Sequence, residues 1–350
     1  MAYGTINADL MTTSDGVSSS GLYGFKNRII NGAMVINQRG TSVTASSGNS
    51  GVYITDRFRE VVTAGTGVFT VAQDNSAPVG FINSLKATVT TAYSVTTTDR
   101  YEISQLVEGY NIYDLAWGSA NAKTVTLSFW VQSSLTGTFG GVVQNANADY
   151  NYPFTYTISS ANTWTQVSIT IAGPTSGTWA TDNTQGLKVT WSLGCGSTRL
   201  GTAGSWSSTR YEGATGQTQV IATNSATWYI TSVQLEKGST ATSFDYRPYG
   251  TDLMLCQRYY QNLWFENLPM IRETGTGLGA AQANIPYVCQ TRTTPTIAFP
   301  SYSSVTGAPT GVTGSSYSVA TNSVRAYSTN SVNAGAVYNL SCNMTVSAEL

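Results

Sequence analysis

Apolar and polar residues alternate with period two through most of the region from Gly40 to Tyr249. Val125, Leu127, Phe129 and Val131 alternate with Thr124, Thr126, Ser128 and Trp130. Val167, Ile169 and Ile171 alternate with Gln166, Ser168 and Thr170, and Leu187, Val189, Trp191 and Leu193 repeat the pattern, as do Leu85, Ala87 and Val89. Successive side chains of a strand point to opposite faces, so each run predicts one face on a core and one in water. That is the pattern of an antiparallel two-sheet sandwich. Turn-rich stretches separate the runs: Gly137-Thr138, Asn145-Ala-Asn-Ala-Asp149, Gly173-Pro-Thr-Ser-Gly177 and Gly194-Cys-Gly-Ser197. Only Tyr110 to Trp117 tolerates a helical turn here, with Asn111 as its cap. The predicted fold is all-β, an antiparallel jelly-roll β-sandwich over residues 40–250.

The flanks read differently. Residues 1–39 are assigned to an extended N-terminal arm. Its first 26 residues carry no periodicity and are rich in Thr, Ser and Gly, so they gain order only by docking on a partner. Residues 251–262 form a linker or short helix, in which Leu253, Leu255, Tyr259 and Tyr260 fall near helical spacing. A short isolated helix is marginal in water, so this stripe is expected to pack on something. Residues 263–350 are assigned to a smaller C-terminal β-domain. Ile285 to Val288 and Pro295 to Phe299 read as its strands, Ser301 to Ser318 as a loop region, and Val337 to Leu350 alternates partly.

Composition narrows the class. Only 10% of the 350 residues are charged, against about a quarter in ordinary globular proteins. Aromatics make up 11%, with 8 Trp and 21 Tyr, which argues for packed strands over disorder. A net charge of −1 supplies no basic patch for nucleic acid. Arg57 with Arg59 and Arg247 with Arg258 are read as solvated or salt-bridging pairs. No run is long enough to span a membrane, and the first thirty residues show no basic segment followed by an apolar one, so no secretory signal is read. Cysteines 195, 256, 289 and 342 lack metal spacing. Four free thiols are the default, with a Cys289–Cys342 bridge as the alternative.

The chain contains no histidine, which removes Ser-His-Asp and Cys-His catalysis and the commonest acid–base side chain at neutral pH. A carboxylate pair is the remaining enzymatic route. The densest acidic groups are Asp99, Glu102 and Glu108, then Asp56 with Glu60. Glu102 and Glu108 would lie about 20 Å apart along one strand, too far for either glycosidase geometry. Salt bridging is the plainer reading, and no enzyme is expected. Gly275-Thr-Gly277-Leu-Gly279-Ala280 matches a dinucleotide fingerprint in letters only, because the strand, helix and acidic residue it needs are missing.

Trp117, Trp179, Trp206, Tyr150 and Tyr152 lie in or beside turn-rich segments. Exposed rings stack on pyranose faces, so these five are candidate glycan contacts; the competing reading has them fold back to cap the sandwich. Trp164, Trp191 and Trp228 sit within strands and read as core or inter-subunit packing. Leu253, Leu255, Tyr259, Tyr260, Trp264 and Phe265 are the candidate oligomer interface, since aromatic residues dominate buried contacts between chains.

Two stretches, Trp228 to Tyr260 and Asn31 to Gly40, carry a resemblance. Val233-Gln-Leu-Glu236-Lys-Gly238, Ala241-Thr-Ser-Phe244-Asp-Tyr246-Arg247-Pro248-Tyr249 and Cys256-Gln-Arg-Tyr-Tyr260, together with Asn31-Gly32-Ala-Met-Val-Ile-Asn37-Gln-Arg39-Gly40, resemble a family of bacteriophage virion proteins. These are tail-fibre-like or receptor-binding proteins with a carbohydrate-binding-module-like jelly roll. The resemblance covers most of residues 27–260, and the ending Ala348-Glu-Leu350 fits it. It implies a homotrimer, an N-terminal arm anchored to other virion proteins, host-surface glycans as ligands, and location in the virion after assembly in host cytoplasm. No cofactor is implied beyond a structural calcium ion in some such sandwiches, and no Asp-x-Asp loop marks one here. Tail fibre and receptor binding form one reading. A capsid decoration (cement) or head-fibre protein that stabilises the shell is the alternative.

Overall fold

We analysed a computed structural model of the chain, which describes residues 25–40, 42–271, 279–305, 312–314, 319–332 and 337–350. These residues form two compact units that divide between Tyr249 and Gly250. The first 24 residues of the expected arm lie outside the described residues, as does most of the Gly275–Ala280 fingerprint.

The first unit contains strands β1 (Val43–Ala45), β2 (Phe58–Thr63), β3 (Val68–Asp74), β4 (Ser84–Thr91), β5 (Arg100–Glu108), β6 (Val125–Ser133), β7 (Gly137–Asn145), β8 (Asn151–Ile158), β9 (Thr165–Ile171), β10 (Gln185–Cys195), β11 (Leu200–Gly201), β12 (Gly213–Ala214) and β13 (Thr227–Lys237). One sheet has the order β1-β3-β4-β13-β6-β9 and the other β2-β5-β10-β7-β8, with every pairing in both antiparallel. The alternating runs are these strands, and their apolar residues meet between the sheets. Val125, Leu127, Phe129, Leu85, Trp228 and Ile230 from the first sheet share one cluster with Ile103, Phe139, Leu187, Val189 and Trp191 from the second. Phe129 lies edge-on to both Trp191 and Tyr156, at 5.7 and 5.2 Å. The fold is an antiparallel jelly-roll β-sandwich. Pro153, which cannot donate to a ladder, sits in β8 at the edge of its sheet.

Three local expectations are corrected. The arm does not run to residue 39, because Ile29, Met34 and Ile36 are buried and Ile29 and Met34 belong to the sandwich core. The segment from Tyr110 to Trp117 forms two 3-10 turns, Gly109–Asn111 and Tyr113–Leu115, with no side-chain cap; Asn111 ends the first rather than starting a helix. The loop from Gly196 to Thr218 folds over the outer face of the second sheet. Lys188, Thr190 and Ser192 are therefore buried although alternation points them outward.

The second unit begins in α1 (Tyr249–Gln257) and continues through β14 (Tyr260–Ile271), β15 (Gly279–Pro286), β16 (Thr296–Val305), β17 (Val312–Gly314), β18 (Ser323–Val332) and β19 (Val337–Ser347). These form a sheet of order β16-β19-β14-β15-β18-β17, so β16 and β17 replace part of the expected Ser301–Ser318 loop. Its core gathers Ile285, Val324, Cys342, Met344 and Val346, with Leu263 and Phe265 packed against them. All four cysteines are free, so Cys289 and Cys342 are not bridged. The proposed interface stripe turns largely inward: Tyr259 is fully buried, and its carbonyl accepts the Ala348 N–H at 2.8 Å. Leu253, Leu255, Tyr260 and Phe265 are half-buried, and Trp264 alone of the six is exposed, at 62%.

Candidate functional site

Register decides which polar side chains share the outer face of the second sheet. In β2 and β5, Arg59 lies opposite Ser104 and Val61 opposite Glu102. In β5 and β10, Thr190 lies opposite Ser104 and Ser192 opposite Glu102; across β10 and β7, Lys188 lies opposite Gln144. Alternation then puts Arg59, Arg100, Glu102, Lys188 and Gln144 on one face, pointing away from the core. The Gly196–Thr218 loop covers part of that face and is fastened there by side chains. Gln144 Nε2 donates to the Tyr211 carbonyl at 3.2 Å, Asn151 Nδ2 to that of Thr209 at 2.9 Å, and Gln217 Nε2 to Ser192 Oγ at 2.7 Å. Beside the loop a cleft of about 290 Å³ stays open, lined by Arg59, Arg100, Glu102, Gln144, Lys188 and Arg210 among others.

The charges of the cleft are fixed by a buried carboxylate from the covering loop. Glu212 accepts from Arg100 Nη1 at 3.0 Å, Arg210 Nε at 2.8 Å and Lys188 Nζ at 3.3 Å. Burial pushes the Glu212 carboxyl up, but the charges of Lys188 and Arg100 and the Arg210 hydrogen bond outweigh it and hold it at about 2. Lys188 also donates to Glu102 at 3.0 Å. Burial raises the Glu102 carboxyl, with the Lys188 charge opposing and that of Glu212 adding. Glu102 Oε2 and Arg59 Nε are buried without a hydrogen-bond partner. The arrangement offers fixed donors and acceptors in an open groove, suited to polar recognition rather than to binding an apolar molecule.

The five candidate glycan aromatics come together in one cluster. Trp117 lies edge-on to Trp179 at 4.7 Å and to Trp206 at 5.6 Å, and Trp179 is 5.6 Å from Trp206. Tyr150 stacks on Trp206 at 5.6 Å, and Tyr152 reaches it at 5.2 Å. Their exposure differs: Trp117, Trp179 and Tyr152 are buried in the sandwich core, while Tyr150 and Trp206 are half-buried on its rim. Each indole N–H is engaged, that of Trp117 by the Lys123 carbonyl at 2.8 Å, Trp179 by Ser176 at 3.2 Å and Trp206 by Ala172 at 2.7 Å. For Trp117, Trp179 and Tyr152 this is the capping arrangement. Ala146, Asn147 and Ala148, from the loop that ends in Tyr150, line the cleft, as does Arg210 of the covering loop. Trp191 and Trp228 are core; Trp164 is half-buried beside Tyr229.

Glu60 and Glu102 do not face each other, whereas Glu102 and Glu212 share the Lys188 ammonium. Glu60 lies opposite Ile103 and so points to the other side of the sheet from Glu102. Asp99 accepts from the N–H and hydroxyl of Thr96 at 2.7 and 2.9 Å, and Asp56 accepts from Gln38 N and Nε2, both at 2.7 Å. Among the described residues no group of three or more His, Cys, Asp or Glu side chains converges as a metal site, and no helix is long and apolar enough to cross a membrane.

Sequence reading missed Arg59, Gln144, Lys188 and Glu212 as a group, because they come from four separate segments that only sheet order brings together. It also missed a second aromatic group, in which Phe81 stacks on Tyr246 at 5.4 Å and Phe244 lies edge-on to both. This group borders a notch of about 200 Å³ on the outer face of the first sheet, beside Trp130.

No family model matches the sequence, and no characterised protein matches it at the sequence level. Among solved structures, the chain is similar to the enzymatically active domain of tailspike protein 4 of bacteriophage CBA120, at 14% identity and a TM-score of 0.29, over 61% of this chain and 21% of that one. It is also similar to the family 11 carbohydrate-binding module of a cellulosomal cellulase from Clostridium thermocellum, at 11% identity and a TM-score of 0.28, over 57% of this chain and 97% of that one. A third likeness is to the N-terminal cellulose-binding domain of Cellulomonas fimi β-1,4-glucanase C, at 13% identity and a TM-score of 0.27, over 53% and 90%. None of these likenesses assigns a role to a residue of this chain.

Proposed function

We propose that this chain is a glycan-binding phage virion protein of the tail-fibre or receptor-binding type, acting by binding rather than by catalysis. The observation that carries the glycan reading is the cleft on the outer face of the second sheet. Its donors and acceptors are held by ion pairs and ladder register before any ligand arrives, and preorganised polar groups in a groove suit a hydroxyl-rich ligand. Of the five clustered rings only Trp206 and Tyr150 are half-buried, so these two keep surface that a pyranose can meet. Glu60 and Glu102 lie on opposite faces of the sheet, and the two carboxylates that share the cleft, Glu102 and Glu212, are tied up by Lys188, Arg100 and Arg210, which supports binding without hydrolysis. The virion setting is supported by the two sequence segments that resemble phage proteins. In that setting a homotrimer would multiply weak single-site affinity through avidity.

The direct test is adsorption competition. Excess purified protein is added to host cells, and attachment of the parent phage is scored. Saturable cell binding that blocks attachment is the expected result. Folded, oligomeric protein that leaves adsorption unchanged overturns receptor binding and moves the chain to shell decoration or a purely structural place in the tail.

A further inference from the structure

We infer that the cleft on the outer face of the second sheet recognises an anionic saccharide, with Arg59 as the residue that seats its carboxylate or phosphate group. This rests on the glycan-binding reading and names its ligand class.

Positive charge is concentrated at this cleft in a chain that is nearly neutral overall. Four cationic side chains line the cleft: Arg59, Arg100, Lys188 and Arg210. Against them stand two carboxylates, Glu102 in the lining and Glu212 beneath it. With both ionised the site keeps an excess of two positive charges, in a protein whose net charge is −1. Three of the cations are already engaged: Arg100 and Arg210 on Glu212, and Lys188 on both carboxylates.

Arg59 is different. Among the described residues its guanidinium makes no hydrogen bond or ion pair, and its Nε is buried without a partner. The next residue, Glu60, cannot serve it as an outward-facing partner. It points to the opposite side of the sheet, where its Oε1 accepts the Val52 N–H at 2.9 Å. A half-buried guanidinium with an unmet donor at the wall of an open cleft lacks an acceptor. A planar fork of N–H donors fits a carboxylate or phosphate in two-point contact better than a lone hydroxyl. Low local dielectric strengthens such a contact, and the neighbouring cations favour the same sign of ligand. A neutral sugar could accept from Arg59 but would leave the excess charge unanswered.

The test uses the full-length protein on immobilised bacterial surface polysaccharides that include uronate-bearing and phosphodiester-linked polymers. Each is presented in its native form, after carboxyl reduction, and after removal of phosphate with hydrogen fluoride. Binding to a native acidic polymer that falls about 10- to 100-fold when the anionic group is removed is the expected result, matching the loss of a charged hydrogen-bonded contact. The treatment that abolishes binding identifies carboxylate or phosphate. The Arg59→Gln variant should keep its cooperative melt, since it loses no hydrogen bond or ion pair and only the charge beside Glu60, and bind native and treated polymers alike. Arg59→Lys should recover part of the difference. Equal binding of the unaltered protein to native and treated polymers overturns the anionic inference while glycan binding stands. Full anion dependence in Arg59→Gln overturns the role of Arg59. No binding to any polymer overturns both readings.

Discussion

Glu60 carries a charge effect that runs opposite to the usual carboxylate. Burial raises its carboxyl from 4.5 to about 7, against the Val52 hydrogen bond and the Arg59 charge. The folded state therefore holds this proton more tightly than the unfolded chain does. The stabilising contribution is complete below about pH 4.5 and is lost as pH rises through 7. A shift of this size corresponds to at most about 3 kcal/mol. Glu60→Gln should match the unaltered protein near pH 4.5 and melt higher at pH 8. Thermal melts across that range check it, and parallel curves for the two proteins would remove Glu60 as the source. Glu102 shifts in the same direction and remains in the variant, so the slope should lessen without vanishing.

Residue identity also separates the aromatics. Trp117 is buried against two other tryptophans and the core, so Trp117→Ala should cost about 3–5 kcal/mol in denaturant unfolding. Turn context marked all five rings as a group, and they do assemble. Their burial was not legible, because a loop tryptophan reads the same whether it faces a sugar or a neighbouring ring.

At the level of elements, the segment from Asn27 to Gly40 and that from Val233 to Arg247, which carry much of the phage resemblance, meet in space. Asn27 Nδ2 donates to the Val233 carbonyl at 2.9 Å, and its Oδ1 accepts the Leu235 N–H at 3.0 Å. Arg247 reaches back to the carbonyls of Asn27 and Ile29, and Asp245 accepts the Asn27 N–H. Asn31, at φ 59, ties Ile36 N and O to its own side chain. Gly32 lies so close to the bulge in β13 that an added Cβ would sit 2.1 Å from the Val233 carbonyl oxygen. That atom is backbone and cannot rotate away. Gly32→Ala should therefore cost about 1–3 kcal/mol or more by overpacking, while Gly48→Ala, with open space around it, should stay within about 0.5 kcal/mol. Comparable melts for the two variants would show that the latch yields.

Strands were legible because alternation depends only on local sequence and one buried face. The latch and the cleft were not, since each joins segments far apart in the chain. Val233 and Asn27 become neighbours only once sheet order is known. The outward polar residues of β10 likewise gave no hint that a loop would cover Lys188 and Ser192.

For the whole molecule, each unit has its own hydrophobic cluster, so the sandwich is expected to fold without the second unit. A chain ending at Tyr249 should keep a cooperative melt and the polysaccharide binding of the full protein. Its oligomeric state tests the trimer that the phage resemblance implies. Tyr259 is unavailable to another chain because it is enclosed by its own unit, and Phe265 packs on that unit's core. Trp264 remains exposed on β14, and a large ring at 62% exposure is costly to leave in water. If subunits meet along the Leu253–Phe265 stripe, Trp264 is where they touch. Light scattering should then report a trimer for the full chain and a monomer for Trp264→Ala with an unchanged circular dichroism spectrum. The chain ending at Tyr249 should also be monomeric. An intact trimer in the truncated chain would place the contact in the sandwich or the N-terminal segment, and a trimeric Trp264→Ala would clear β14 of the role.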